Sequence, residues 1–209
     1  MLRTCFDWAG GAAMTLTEIT GGPRAALPLA QLKDHLRMGS GFSDDAVQDS
    51  LVEGYLRAAL AAVEGRTGKA LIARDFRWTV SDWRYGDRAV LPAAPVSAVA
   101  SVTVKDRTGA ATVIPSSAWL LIADGTMPML VGAGTSLPTI PDQGTAEVVF
   151  TGGFGAWTAV PPDLGQAAML LAAHYHENRF GSGETVGRLP YGIEALLSRW
   201  VPLRITGGA

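Results

Sequence analysis

The sequence predicts an α+β protein. Its helical bundle has a long N-terminal helix, a central helix in the C-terminal half and a short closing helix. A β-rich insertion interrupts the bundle. Three observations carry this. Apolar residues recur at three- and four-residue spacing over residues 43–64 and again over 161–180, the period of a helix. From residue 69 to about 151 the period drops to two and turn residues become frequent, as in short strands. Residues 191–200 return to the helical period before Pro202, which cannot continue a helix.

The elements follow in order. Residues 1–26 hold Gly, Thr and Ala with little periodicity and are expected to be a flexible N-terminal arm. Within it, Met14 followed by TLTEIT reads as an alternative start. The N-terminal helical half spans 27–68. In it, Leu29, Leu32 and Leu36 line one face of a short helix opened by Pro28. A long helix follows, with Ser43 as N-cap and Asp44 and Asp45 in its first turn, where a carboxylate meets the positive end of the helix dipole. Val47, Leu51, Tyr55, Ala59 and Val63 are read as its buried stripe, widened by Leu56 and Leu60, with Glu53 and Arg57 as an outward ion pair.

The insertion is placed at 69–155. Strands are expected at 77–83, 89–91, 96–104, 111–114, 119–122, 129–131 and 146–150, with a hairpin turning at Asp106–Gly109. The C-terminal helical half, 156–200, opens on Pro161, Pro162 and Asp163, which suit a helix start. Leu164, Ala168, Leu171 and Tyr175 share one face of this central helix, while Met169, Leu170 and Ala173 cover much of the rest. A helix apolar nearly all round is buried on most sides or pressed against another chain. Residues 181–188 read as a linker and 201–209 as a β-prone C-terminal tail.

Composition narrows the function. At 209 residues with 48% hydrophobic and 17% charged residues, the chain is globular. A net charge of −2 gives no basic field for gathering nucleic acid. One cysteine, Cys5, excludes an internal disulfide, and a reducing cytoplasm is the simplest compartment. No apolar run approaches the roughly 20 residues of a membrane span.

Candidate chemistry is sparse. His174, His176 and Glu177 form the one cluster that resembles a metal or acid–base site, but two His four apart, as in HExxH, are absent. None of Lys33, Lys69 and Lys105 follows a phosphate-binding glycine loop. Gly152, Gly153 and Gly155 suit a strand-to-helix turn better than a dinucleotide fingerprint. No cofactor is expected. Arg74, Arg77, Arg84 and Arg88 interleave with Trp78, Trp83 and Tyr85, a pattern that can track a nucleic-acid backbone. Asp75, Asp82 and Asp87 dilute the charge, so a solvated or subunit-facing sheet is the favoured reading. Tyr175, Asn178 and Arg179 end the central helix as polar anchors, toward nearby backbone or another subunit.

The order of these stretches resembles the head–tail connector (adaptor) family of long-tailed bacteriophages, prophages and phage-derived gene transfer agents. LAQLKDHLRM followed by SDDAVQDSLVEGYLRAALAAVEGRTGKAL resembles that family's opening helical pair. LPAAPVSAVASVTVKDRTG resembles its strand and Asp…Gly turn. AEVVFTGGFG followed by VPPDLGQAAMLLAAHYHENRF resembles its strand, glycine turn and Pro-started helix, and LPYGIEALLSRW its closing helix. Together they cover Leu29 to Trp200. The gene transfer agent version is the nearest match.

The resemblance implies a structural protein of the particle neck, not an enzyme and not a membrane protein. It implies a ring, a dodecamer in the family, that joins the portal to head-closure or tail proteins. DNA passes through its channel without sequence-specific binding. On this reading Tyr175, Asn178, Arg179, Trp200, Leu203, Arg204 and Ile205 are candidate subunit or portal contacts, the last three through an extended tail. The competing readings are another neck protein, such as a head-closure or tail-terminator protein, and an enzyme using His174 and Glu177.

Overall fold

The computed structural model describes residues 3–5, 14–38, 45–178 and 189–201. The fold is mixed α+β, with four α-helices and two antiparallel sheets among the described residues. The chain divides into two compact units: Met1–Gly22 with Ile72–Phe154, and Pro23–Leu71 with Gly155–Ala209.

The first unit holds the strands β1 (Arg3–Cys5), β2 (Met14–Glu18), β3 (Arg74–Val80), β4 (Arg88–Val90), β5 (Val96–Lys105), β6 (Ala111–Ile114), β7 (Trp119–Ile122), β8 (Met129–Gly132) and β9 (Thr145–Gly152). Six form one sheet in the order β1-β2-β3-β9-β5-β6, and three form another, β4-β8-β7. At the centre of the larger sheet, β9 alternates half-buried and buried at every step. Ala146, Val148 and Phe150 point into the core beside Phe76, Trp78 and Val80 of β3 and Val102 and Val104 of β5. Phe76 and Phe150 are register partners, and their rings stack 5.5 Å apart. On the opposite face Glu147 takes ion pairs from Arg77 at 3.2 Å and Lys105 at 2.9 Å.

The stretch expected as a flexible arm supplies strands instead. Met14–Glu18 pairs antiparallel with β3, Met14 opposite Val80 and Glu18 opposite Phe76. Glu18 then binds Arg74 at 2.7 Å. The Met14/Leu16 and Thr15/Thr17 alternation has the two-residue period of a strand, but its partner lies some sixty residues away in sequence and leaves no local signal. The β5–β6 hairpin forms as expected. Its turn is tied by Asp106, which accepts from the Thr108 hydroxyl at 2.6 Å and from the Thr108 and Ala110 N–H groups. These bonds, the Thr108 hydroxyl first, hold the Asp106 carboxyl below its ordinary 3.8.

After β9 the chain turns sharply. Gly153 has φ +127°, and a Cβ there would lie 2.6 Å from Ala73 backbone atoms. Only glycine fits both conditions.

The second unit holds the helices α1 (Leu29–His35), α2 (Asp45–Thr67), α3 (Pro162–Glu177) and α4 (Tyr191–Leu197), the last extended by a 3₁₀ turn to Trp200. α3 packs on α1, α2 and α4. It starts on Pro161 and Pro162 with Asp163 in its first turn, as the sequence predicts. Leu164, Gly165, Ala167, Ala168, Met169, Leu171, Ala172 and Ala173 are all buried. Gln166 alone is exposed between them, so the fold itself covers the faces that the sequence left open to another subunit.

α2 departs further from expectation. The core stripe is Val52, Leu56, Ala59, Leu60 and Val63, whereas Leu51 is 44% exposed and Tyr55 half-buried. The reason is geometric. A repeat of four in a helix of 3.6 residues per turn drifts by about 40° at each step, so Leu51 and Val63 lie about 120° apart. The Glu53–Arg57 pair is present at 2.8 Å. The expected N-cap at Ser43 and Asp44 lies outside the described residues.

Candidate interaction surfaces

The residues singled out at the end of α3 make a helix terminus. The Asn178 side-chain amide donates to the His174 carbonyl at 3.0 Å and lies 3.1 Å from His174 Nδ1. Its backbone N–H also reaches the His174 carbonyl. The amide thus gives the His174 carbonyl, near the helix end, a second donor. Tyr175 is half-buried, its ring 6.4 Å from that of His174. His176 sets its ring edge-on to Tyr55 at 5.9 Å. Glu177 is exposed. The two histidines thus serve different contacts. Among the described residues no three His, Cys, Asp or Glu side chains gather to hold a metal.

Trp200 is half-buried, and its indole N–H donates to Asp163 Oδ2 at 2.7 Å. Arg199 pairs with the same oxygen at 2.8 Å and lies over the Trp200 ring. One carboxylate at the start of α3 therefore holds both residues at the end of α4. Arg179, Leu203, Arg204 and Ile205 lie outside the described residues.

The four arginines split into two pairs. Arg74 binds Glu18, donates to the Ile72 carbonyl and covers the Phe76 ring. Arg77 binds Glu147. These two are neutralised by the sheet. Arg84 and Arg88 lie over the Tyr85 ring at 5.5 and 5.0 Å, and Arg88 is 3.5 Å from Asp87.

Tyr85 and both arginines stand at a feature the sequence did not announce. A cleft of about 700 Å³ opens in the β unit, lined among others by Met14, Trp78, Trp83, Val90, Met127 and Met129. Trp78 is 5% exposed, yet among the described residues its indole N–H meets no acceptor. The nearby Trp83 N–H does have one, the Pro138 carbonyl at 2.7 Å. Methionines adapt to varied apolar guests, and Met14, Met127 and Met129 were the sequence signal. They stand too far apart in the chain to be read as one site.

Among the described residues no helix is long and apolar enough to cross a membrane. No protein-family model matches the chain. No curated protein matches it either. Solved structures do. A chain in the neck of an empty gene transfer agent particle, computed with C6 symmetry, shares 45% identity at a TM-score of 0.83. A chain in the virion of a native gene transfer agent particle shares 45% at 0.81. A chain in the neck of a native particle, computed with C12 symmetry, shares 42% at 0.78. Each comparison covers 92% of this chain and 98% of the other. Identity of this order along nearly the whole of both chains places both units, not a shared fold fragment, in one lineage: the chain belongs to the family of structural neck proteins of gene transfer agent particles.

Proposed function

We propose that this protein is the adaptor of the neck, a ring that joins the portal to the head-closure or tail proteins around the DNA channel. The observation that carries the reading is the near-complete match to a chain of a neck computed with C12 symmetry. A cyclic ring is a head-to-tail assembly, in which each subunit offers two different faces. The described chain has uncovered apolar residues in both units, among them Leu120 and Ile122 in one and Leu51 in the other. DNA passes without being gripped, and a net charge of −2 suits a channel of that kind.

The four-helix unit, in our reading a bundle, forms the ring body, and the β unit meets a partner. Tyr175, Asn178, Arg179 and Trp200 are subunit or portal contacts, with Asn178 and Trp200 also fixing the ends of α3 and α4. Leu203, Arg204 and Ile205 dock on the portal as an extended segment. Four helices favour the adaptor over a head-closure or tail-terminator protein. The His174 and Glu177 surroundings favour packing over catalysis.

The test is native mass measurement of the full chain mixed with its portal, alongside a chain lacking residues 203–209. Multiple copies on each portal are expected for the full chain, with strong loss for the truncated one. No complex with the portal would overturn the adaptor reading. Equal binding by the truncated chain would remove the tail from it.

A further inference from the structure

Past Leu197 the closing helix has no buried side chain to hold it. Ile193 and Leu197 are buried and anchor α4 in the four-helix unit. The 3₁₀ turn that follows, Ser198–Trp200, buries no residue. Helix ends of this kind fray, and a helix as short as α4 has little stability of its own. Here the end is held by Asp163, in the first turn of α3.

The Asp163 carboxylate uses both oxygens. Oδ1 accepts the Leu164 N–H at 3.0 Å. Oδ2 accepts the Trp200 indole N–H at 2.7 Å and pairs with Arg199 Nε at 2.8 Å. Charge-assisted bonds of this length are stronger than neutral ones. The acid stands at the positive end of one helix dipole and the arginine at the negative end of another, which favours each of them. The Arg199 guanidinium also lies 4.8 Å from the centre of the Trp200 ring, so the two held residues are tied to each other. At the next residue, Val201, the backbone is extended, with φ −73° and ψ 119°. Pro202 then prevents any return to helix. The clasp therefore closes on the last residues of the helix before the tail.

We propose that Asp163 is the positioning residue of the joint to the portal: by holding Arg199 and Trp200 it fixes the point and direction in which residues 202–209 leave the helical unit. The inference rests on the reading above, in which the tail docks on the portal, and names what aims the tail. A segment held at its root loses less freedom on binding than one that swings from a frayed helix end. Asp163 needs no contact with the partner for this. It acts through the two residues it holds.

The test makes two measurements on the full-length chain. One is the distance distribution in the free protein between spin labels at Leu203→Cys and at Ala58→Cys, an exposed position on α2, in a Cys5→Ser background. The other is the affinity of unlabelled chains for purified portal, taken well below each unfolding midpoint. Two variants open the clasp from opposite sides. Asp163→Ala removes the carboxylate. Arg199→Gln with Trp200→Phe removes its partners, keeps an aromatic ring and leaves the start of α3 intact. Each is expected to broaden the distribution and to weaken portal binding about tenfold. Combining them is expected to add little, because both open one contact. An unchanged distribution overturns the inference, and so does unchanged affinity. Weaker binding with an unchanged distribution also overturns it, since that is the mark of a direct portal contact or of a residue that serves the fold alone. Equal binding by the chain lacking residues 203–209 sinks the docking reading itself, and is told apart from a failure of the clasp because it needs no change at Asp163.

Discussion

The two sheets of the β unit obey the same pleat and end differently. In the six-stranded sheet the outward positions around the centre are mostly polar, with Thr79 and Thr103 on either side of Glu147, and a single exposed Val113 faces out from the edge strand β6. In the three-stranded sheet the inward positions of β4 and β8 are well buried, with Ala89 at 4% and Leu130 at 0% exposure, while Trp119 and Leu121 of β7 are half-buried. Its outward positions, however, hold Val90, Leu120 and Ile122. Alternation alone therefore does not say which sheet face meets water. Residue type on the outward half of the period does. The centre of the larger sheet is finished by its own ion pairs and hydroxyls, while the smaller one presents an apolar row that the described residues leave uncovered. Exposed single hydrophobic residues are ordinary, but contiguous ones mark contact surfaces.

The difference can be broken at its strongest point. Phe150→Ala removes a ring that is fully buried and stacked on Phe76. A loss of about 3–5 kcal/mol is expected, read from the shift in denaturant midpoint. A loss under 1 kcal/mol would mean that the larger sheet is not the core of its unit.

A smaller effect tests the turn that ends β9. Gly153→Ala puts a methyl group against the Ala73 backbone at a positive φ. Strain of this kind costs about 1–3 kcal/mol, measured by the same unfolding experiment. An unchanged midpoint would show that the turn relaxes freely.

Much of this was legible in the sequence. β6 and β7 fall at the predicted residues, and β4, β5, β8 and β9 overlap theirs closely, because each is bounded by Gly, Pro or Asp. β3 runs Arg74–Val80 rather than 77–83, since Trp83 leaves the strand for the Pro138 carbonyl. The start of α3 was written in Pro161, Pro162 and Asp163. What stayed hidden depends on distant partners. β2 needs β3, and the cleft needs Met14, Trp78 and Met127 together. The α2 stripe was misread for a local reason, a four-residue repeat taken as a single face. Of the candidate contacts, Asn178 and Trp200 have visible work inside the chain, as a helix cap and as a partner of Asp163.

The smallest expected effect on stability is the one that sharpens the comparison most. Leu120→Thr places a β-branched residue in β7, a type that suits strands, so strand formation is preserved. Leu120 is 58% exposed, so little buried area is lost, and surface changes of this kind fall within about ±0.5 kcal/mol. The free protein should therefore unfold at the midpoint of the parent, in contrast to Phe150→Ala. If the outward row exists to be covered by another copy, the same variant should be incorporated into particles less well than the parent, measured by quantitative blotting of purified particles. A lowered unfolding midpoint would assign Leu120 to the fold, and equal incorporation would assign it to neither role. Unchanged stability with reduced incorporation is the outcome that separates a sheet built to fold from a sheet built to be joined.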